Sequence, residues 1–123
     1  MYASATGEHK VAVVDMESLK TIAKAGPVHY PDGIAYAPGP KRVFVSDEHG
    51  GADAVIDATT NALLTAIPLG GGAGNTVYDS GSGNILVAVG QNAGQYGQPF
   101  HATCSHSERR SCYAPRLFPS AER

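Results

Sequence analysis

The sequence has 123 residues, of which 42% are hydrophobic and 16% charged, and it contains 15 glycines and 8 prolines. This composition predicts one small domain of turn-rich β structure rather than long helices. A formal net charge of -2 excludes the broad positive field that non-specific nucleic-acid binding requires. No apolar run approaches the roughly 20 residues of a membrane-spanning helix. We therefore expect neither a nucleic-acid partner nor a membrane span.

Short apolar segments recur along the chain at a constant spacing, starting from the first residue. The segments MYAS, VFVS and ILVA begin at Met1, Val43 and Ile85, so each start lies 42 residues after the one before. The same shift places VVD, which ends at Asp15, on VID, which ends at Asp57. Recurrence at a fixed period of this length is the sequence signature of a repeat architecture.

The second copy of the repeat is predicted to contain four short strands. They are rich in Val, Ile and Tyr, and turns with Gly, Pro, Asn and Asp separate them. The predicted strands are 33–37, 43–46, 53–57 and 63–67. Prolines recur too often to leave windows of helical length. Several strands are apolar on both faces, which predicts sheets stacked face to face with both sides covered.

A repeat of about 40 residues with four strands is typical of a β-propeller blade. Residues 11–67 resemble the YVTN family of β-propeller repeats, whose units contain a Pro-x-Gly-Ile-Ala strand, an aromatic-Val-Ser strand, a Val-Ile-Asp strand and a strand that ends in Ile-Pro. In this sequence they are PDGIA, FVS, VID and IP, at 31–35, 44–46, 55–57 and 67–68. The third copy departs from the pattern, because it has Ala73-Gly74-Asn75 in place of Pro31-Asp32-Gly33 and lacks the Val-Ile-Asp strand.

The resemblance implies an all-β, partial β-propeller built from four-stranded antiparallel blades. Residues 1–90 are expected to hold the end of one blade, one complete blade and the start of a third. Since closed propellers have about four to eight blades, this would be a fragment of a propeller. After Gly90 the sole Val, Ile or Leu is Leu117, so 91–123 is predicted to be a disordered or aberrant tail. A shifted reading frame, a misjoined gene and a natural tail are all open explanations.

The first candidate site is the run Asp47, Glu48 and His49, whose oxygen and nitrogen atoms are suitable ligands for a divalent cation. Three adjacent side chains cannot easily point at one ion, however. The run also lies between two predicted strands, where a hairpin connection requires polar residues and glycine. We therefore favour a turn over a metal site.

The second candidate is the segment HYPDGIAY, in which His29 and Asp32 would face a shared pocket if the following strand lies nearest a propeller axis. In some propeller lactonases of the gluconolactonase type, acidic and Asn residues on such loops hold a catalytic divalent ion. The alternative is an ordinary turn, in which Pro31 fixes one dihedral angle and Gly33 adopts a positive φ. We favour the turn.

Two further motifs carry little chemistry. The run LGGGAGN at 69–75 lacks the Lys-Ser/Thr of a phosphate-binding loop and is predicted to connect two blades. In the tail, His101, Cys104, His106 and Cys112 are suitable residue types for zinc, but their spacing matches no zinc finger or ribbon. Two cysteines are too few for a disulfide framework and leave the redox compartment open.

The sequence favours a non-catalytic binding or scaffold module whose loops contact a protein or a small molecule. The alternative is a fragment of a metal-dependent, lactonase-like hydrolase. No cofactor is expected under the first reading, and a divalent cation would be required under the second. The resemblance implies a bacterial or archaeal parent that is often exported to the periplasm or outside the cell, although Met1 is followed by no basic and apolar signal segment.

Overall fold

The computed structural model describes residues 1–90 and two later strands, Phe100–Cys104 and Cys112–Tyr113. Regular structure in this part is β-strand, apart from one 3₁₀ turn at Thr6–Glu8. It holds no helix with the length and apolar character needed to cross a membrane. The strands are β1 Tyr2–Ala5, β2 Lys10–Val14, β3 Thr21–Ala25, β4 Pro31–Ala37, β5 Arg42–Asp47, β6 Ala52–Asp57, β7 Leu63–Pro68, β8 Gly72–Asp79, β9 Asn84–Gly90, β10 Phe100–Cys104 and β11 Cys112–Tyr113.

The strands form three antiparallel sheets, and in each sheet consecutive strands are hydrogen-bonded neighbours. The first sheet contains β1 to β3, the second contains β4 to β7, and the third contains β8 to β11. Each sheet is thus a meander made by one local segment of chain, which requires only short connections between strands. The all-β class and the antiparallel pairing expected from the sequence are confirmed.

The strand boundaries follow the spacing of the sequence repeat. Lys10 and Ala52 begin β2 and β6, Thr21 and Leu63 begin β3 and β7, and Arg42 and Asn84 begin β5 and β9. Each of these pairs of starting residues is 42 positions apart (52 − 10, 63 − 21 and 84 − 42). The four strands predicted for the second copy are also confirmed, with boundaries that extend by one or two residues.

The second sheet is covered on both faces, because its central strands present apolar side chains alternately to either side. On β5, Val43 and Val45 pack toward the first sheet, whereas Phe44 packs toward the third. The core between the first and second sheets contains Val11, Ala25, Val28, Val43, Val45, Ala54 and Ile56. The core between the second and third sheets contains Ala35, Ala37, Phe44, Val55, Ala73, Ile85, Val87 and Val89. The predicted stacking of sheets is therefore confirmed.

The predicted turn at Pro31-Asp32-Gly33 is wrong. These residues belong to β4, in which the pairing with β5 shifts register between Pro31 and Ile34. Gly33 does not have a positive φ. A glycine is required there for a different reason: a Cβ atom on Gly33 would lie 2.7 Å from the backbone nitrogen of Thr76. Close packing of β4 against β8 selects glycine at this position.

The glycine-rich segment is shorter as a connection than the sequence predicted. Residues 69–71 join the second and third sheets, but Gly72 already begins β8. Like β4, this strand has a register shift, here between Ala73 and Thr76. No α-helix follows the glycines within residues 72–90, so the segment does not have the strand, loop and helix arrangement of a phosphate-binding loop.

Two short strands are described after Gly90, within the segment that the sequence predicts to be a disordered or aberrant tail. In the third sheet β10 pairs with β9, with Phe100 opposite Val89 and Cys104 opposite Ile85. The short β11 pairs with β10 and places Cys112 opposite Cys104. A step of 42 residues from Ala52 falls at 94, which lies outside the described residues, and the described part of β10 begins at Phe100. The rest of the predicted tail, 91–99, 105–111 and 114–123, lies outside the described residues, and so does His106 of the proposed zinc ligands.

Candidate functional site

Three connections meet at one edge of the first and second sheets. In an antiparallel meander every second connection falls on the same edge, because neighbouring strands run in opposite directions. Pro31 at the start of β4 is the cross-strand partner of Asp47 at the end of β5. The backbone N–H of Glu48 donates to the carbonyl of Tyr30 at 3.0 Å, and the Thr6 hydroxyl donates to the carbonyl of Pro31 at 2.9 Å.

Four aromatic rings from these connections form a continuous row, which we call the ring edge. It consists of His9, His29, Tyr30 and His49. The His9 and His29 rings are stacked with centroids 5.6 Å apart, and the Tyr30 and His49 rings are stacked at 4.1 Å. The centroids of His29 and His49 are 6.0 Å apart, which links the two pairs. All three histidines are exposed and Tyr30 is half-buried.

Backbone contacts hold the first two histidines in place. Nδ1 of His9 lies in hydrogen-bonding contact with the carbonyl oxygen of His29, which can only accept, so this nitrogen is the protonated one. The carbonyl of His9 in turn accepts from the backbone N–H of Val28 at 2.9 Å. His9 itself has a left-handed backbone conformation, with φ of 56°, at the end of the 3₁₀ turn. The first sheet thereby fixes one end of the ring edge against the connection that leads into the second.

The carboxylate of Asp47 organises the two connections of the second sheet. One oxygen accepts from the backbone N–H groups of Tyr30 at 2.8 Å and Gly50 at 2.9 Å, and the other accepts from the N–H of His29 at 2.9 Å. Three charge-assisted hydrogen bonds to backbone amides are a structural arrangement that fixes the loops carrying the rings. Asp47 is thus brought together with His29 and His49, but its oxygens face amides.

The other two predicted site residues contribute through their backbone. Glu48 is exposed, and its N–H makes the bond to Tyr30 described above. Asp32 lies in the irregular part of β4, where its carbonyl accepts from the Ser4 hydroxyl at 2.8 Å. Its side chain is exposed. Of the five residues predicted from the sequence, the structure therefore brings the rings of His29 and His49 and the carboxylate of Asp47 to one place.

The described part of the chain contains no cluster of side chains already arranged as metal ligands. There, no group of three or more His, Cys, Asp or Glu side chains is arranged to hold a metal ion. At the ring edge the imidazole rings stack on one another or on Tyr30. The Asp47 carboxylate, at the end of β5, accepts from backbone amides, and residues 48–51 form the turn that follows it.

A charged pair lies beside the ring edge. The ammonium of Lys24 on β3 contacts the carboxylate of Glu8, the residue before His9, at 2.5 Å. The hydrogen bond from Lys24 and its positive charge lower the pKa of the Glu8 carboxyl. Both side chains are about half exposed, so the pair adds a polar rim rather than much stability.

Sequence reasoning missed His9 and Tyr30, although a signal for both was available. Connections on the same edge of a four-stranded meander recur at about half the repeat length. His9, His29 and His49 are each 20 residues apart (29 − 9 and 49 − 29), close to half of 42. A search at half the repeat period would have placed all three histidines on one edge, with Tyr30 next to His29.

Comparison with known proteins gives the fold alone. A scan against protein families found no match, and a search of curated proteins found none either. Among solved structures, hydrazine synthase from Kuenenia stuttgartiensis is similar, with a TM-score of 0.76 at 18% sequence identity. The match covers 94% of this chain but 34% of the hydrazine synthase chain. The likeness extends over nearly all of the chain and corresponds to about a third of a larger protein.

Proposed function

We propose that this chain is a β-propeller-type binding module whose ring edge contacts the partner. The single observation that carries the proposal is the convergence of His9, His29, Tyr30 and His49 from three separate connections. The three exposed histidine rings and the half-buried Tyr30 ring do not form part of the core, because neither apolar cluster between the sheets contains any of them. The sheets act as a scaffold that positions loops, which is where binding residues concentrate.

Two features support the propeller interpretation. Four-stranded meanders recur at a 42-residue step and stack face to face around a middle sheet covered on both sides, which is the pattern of adjacent propeller blades. The first strands of the second and third sheets, β4 and β8, also lie side by side, as strands nearest a central axis would. We assign β4 and β8 to that inner position and β7 to the outer one.

The chemistry of the ring edge indicates the kind of partner. Tyr and His rings present flat apolar faces together with nitrogen and oxygen atoms that donate or accept hydrogen bonds. Such rings are rigid, so little conformational entropy is lost when they are covered. The partner we expect is a protein loop or a small molecule that carries a planar or aromatic group and a hydrogen-bonding edge.

The test is a ligand screen with matched tyrosine variants. The full chain is screened by thermal shift against a panel of aromatic small molecules and a library of peptides with aromatic residues. Each hit is then measured by calorimetry with Tyr30→Ala and with Tyr36→Ala. Tyr36 is 48% exposed and lies near the other end of β4, so its loss should leave binding unchanged. Tyr30→Ala should weaken binding at least about tenfold, as expected when a tyrosine at the centre of a contact is truncated.

The same screen can overturn the proposal. Hits whose affinity is unaffected by Tyr30→Ala and by His49→Ala would show that the partner binds elsewhere. Hydrolysis of a panel of lactones by the full chain, abolished by EDTA, would instead favour the metal-dependent hydrolase. A His49→Ala variant that keeps this hydrolysis would further separate the catalytic centre from the ring edge.

A further inference from the structure

Asp53 is a buried acid that the ring edge does not use. It lies on β6 with no exposed surface, on the face of the second sheet that packs against the third. The hydroxyl of Thr76 on β8 donates to one of its carboxyl oxygens at 3.3 Å. The other oxygen is buried without a hydrogen-bond partner. A carboxylate in this position is costly, because burial removes its hydration and one hydrogen bond replaces little of it.

The repeat shows that this position does not require an acid. A shift of 42 residues places Asp53 on Val11 and Thr76 on Ile34 (53 − 42 and 76 − 42). Val11 is fully buried and Ile34 packs against the same cluster, between the first and second sheets. The contact between the second and third sheets thus has a polar pair where the preceding contact has an apolar one. The acid is therefore a feature of the contact between the second and third sheets and is not repeated at the preceding contact.

The surroundings of Asp53 offer no compensating charge among the described residues. Its neighbour on β5 is Ser46 and its neighbour on β7 is Ile67. Across the interface stands Thr76, whose own partner on β9 is Val87. The Ser46 hydroxyl is occupied by Gly33, from whose N–H it accepts at 2.7 Å. Burial raises the pKa of the Asp53 carboxyl to about 7, and the hydrogen bond from Thr76 opposes the rise.

We propose that Asp53 is a proton-dependent latch between the second and third sheets, closed when its carboxyl is neutral and weakened when that carboxyl ionises. In the neutral form the group can be buried at low cost beside Thr76. In the ionised form the interface holds an unpaired negative charge, which is relieved by water entering between the sheets or by their separation. The proton goes to solvent, and no other reactant is involved.

The direction of the pH effect follows from linkage. The ordinary pKa of the carboxyl is 3.8, and in the fold it is raised to about 7. At pH values between these two, the carboxyl therefore keeps its proton in the folded chain and has lost it in the unfolded chain. The contribution of Asp53 to the free energy of unfolding is fully present below pH 3.8, decreases as the pH rises, and is lost above about pH 7. A rise of about three in the pKa of the Asp53 carboxyl corresponds to a change of about a thousandfold in the equilibrium constant for unfolding.

The first experiment compares urea unfolding of the full chain with that of two variants between pH 4 and pH 8.5. Asp53→Asn keeps the shape of the side chain without a charge, and Asp53→Val restores the residue of the preceding interface. The ratio of the wild-type unfolding constant to that of each variant should rise up to about a thousandfold over this range. Wild-type and variant curves that stay parallel from pH 4 to pH 8.5 would overturn the proposal.

The second experiment does not depend on the variants folding. Carboxyl carbons of Asp in the wild-type chain are labelled with ¹³C and titrated by NMR. One carboxyl resonance should titrate with a midpoint near pH 7, and Thr76→Val should move that midpoint upward, because it removes the donor that favours the ionised form. If every labelled carboxyl titrates below pH 5, Asp53 has a cation or a water as its partner, and the latch is excluded.

Discussion

Gly33 on β4 and Thr76 on β8 are in backbone contact across the interface between the second and third sheets. A Cβ atom built on Gly33 would lie 2.7 Å from the nitrogen of Thr76 and 2.9 Å from the Cα of Asn75. Both strands shift register at this point, between Pro31 and Ile34 and between Ala73 and Thr76. The first strands of two neighbouring sheets are therefore in close contact where both are irregular, and at Gly33 this contact leaves no room for a side chain.

Gly33→Ala should destabilise the chain because the added methyl group collides with backbone and not with a movable side chain. We expect a loss of about 1–3 kcal/mol in the free energy of unfolding, the usual result of overpacking. Urea unfolding measures the loss. The matched control is Gly39→Ala in the turn between β4 and β5, where an added Cβ meets no atom within 4 Å. Equal midpoints for the two variants would contradict the close contact.

Asp47→Ala should destabilise the two connections that carry the ring edge. The change removes the acceptors of three backbone N–H groups, those of His29, Tyr30 and Gly50. A loss of about 1–3 kcal/mol is expected in the free energy of unfolding. Asp32→Ala, which removes an exposed carboxylate, is the control and should change stability by less than about 0.5 kcal/mol. An Asp47→Ala variant as stable as the control would refute this role.

Metal removal should leave the fold unchanged if the Asp47 carboxylate serves only the backbone amides of the two connections. Because the Asp47 oxygens already accept from amides, neither EDTA nor millimolar Ca²⁺ should shift the thermal unfolding of the full chain. The unfolding temperature is recorded by circular dichroism with each addition. A rise with Ca²⁺ that disappears in Asp47→Asn would instead restore the metal interpretation of residues 47–49.

The architecture of the first two sheets was predictable because one physical cause produces both the sequence pattern and the structure. Each sheet must cover its neighbour, so apolar residues return at the same step as the strands. On β5, Val43 and Val45 lie on one face of the sheet and Phe44 lies on the other, and each face packs in its own apolar cluster. Local turn residues then locate the connections, as at Asp57, whose carboxylate accepts from the N–H groups of Thr59 and Thr60.

The features that the sequence hid depend on contacts between sheets. Gly33 reads as a turn residue, because its constraint comes from Thr76, 43 residues away (76 − 33). Strand β10 was missed because its sequence has no Val, Ile or Leu; backbone hydrogen bonds to β9 extend a sheet with little regard to side chains. The burial of Asp53 is equally invisible, since Asp is normally exposed.

The decline in stability at acidic pH should depend on Asp57. Hydrogen bonds from the N–H groups of Thr59 and Thr60, with the nearby charge of Arg42, lower the pKa of the Asp57 carboxyl below 3.8. Its contribution is therefore present above pH 3.8 and is lost as the pH falls through the lowered value. Asp57→Asn should flatten the decline in urea midpoint between about pH 4 and pH 2. Thr59→Ala keeps the backbone donor and should preserve the decline.

Ile56 and Ile22 test whether stacking of the sheets stabilises the chain. Ile56 has no exposed surface and lies in the core between the first and second sheets, whereas Ile22 on β3 is 62% exposed. Ile56→Ala should lower the free energy of unfolding by about 2–5 kcal/mol, because it removes buried methyl groups and leaves a cavity. Ile22→Ala should change it by less than about 0.5 kcal/mol. Urea denaturation of both variants, followed by circular dichroism, gives the comparison. If both variants lost the same free energy of unfolding, the interface between the sheets would be open to water in solution. Truncating a solvated Ile56 would then cost no more stability than truncating Ile22.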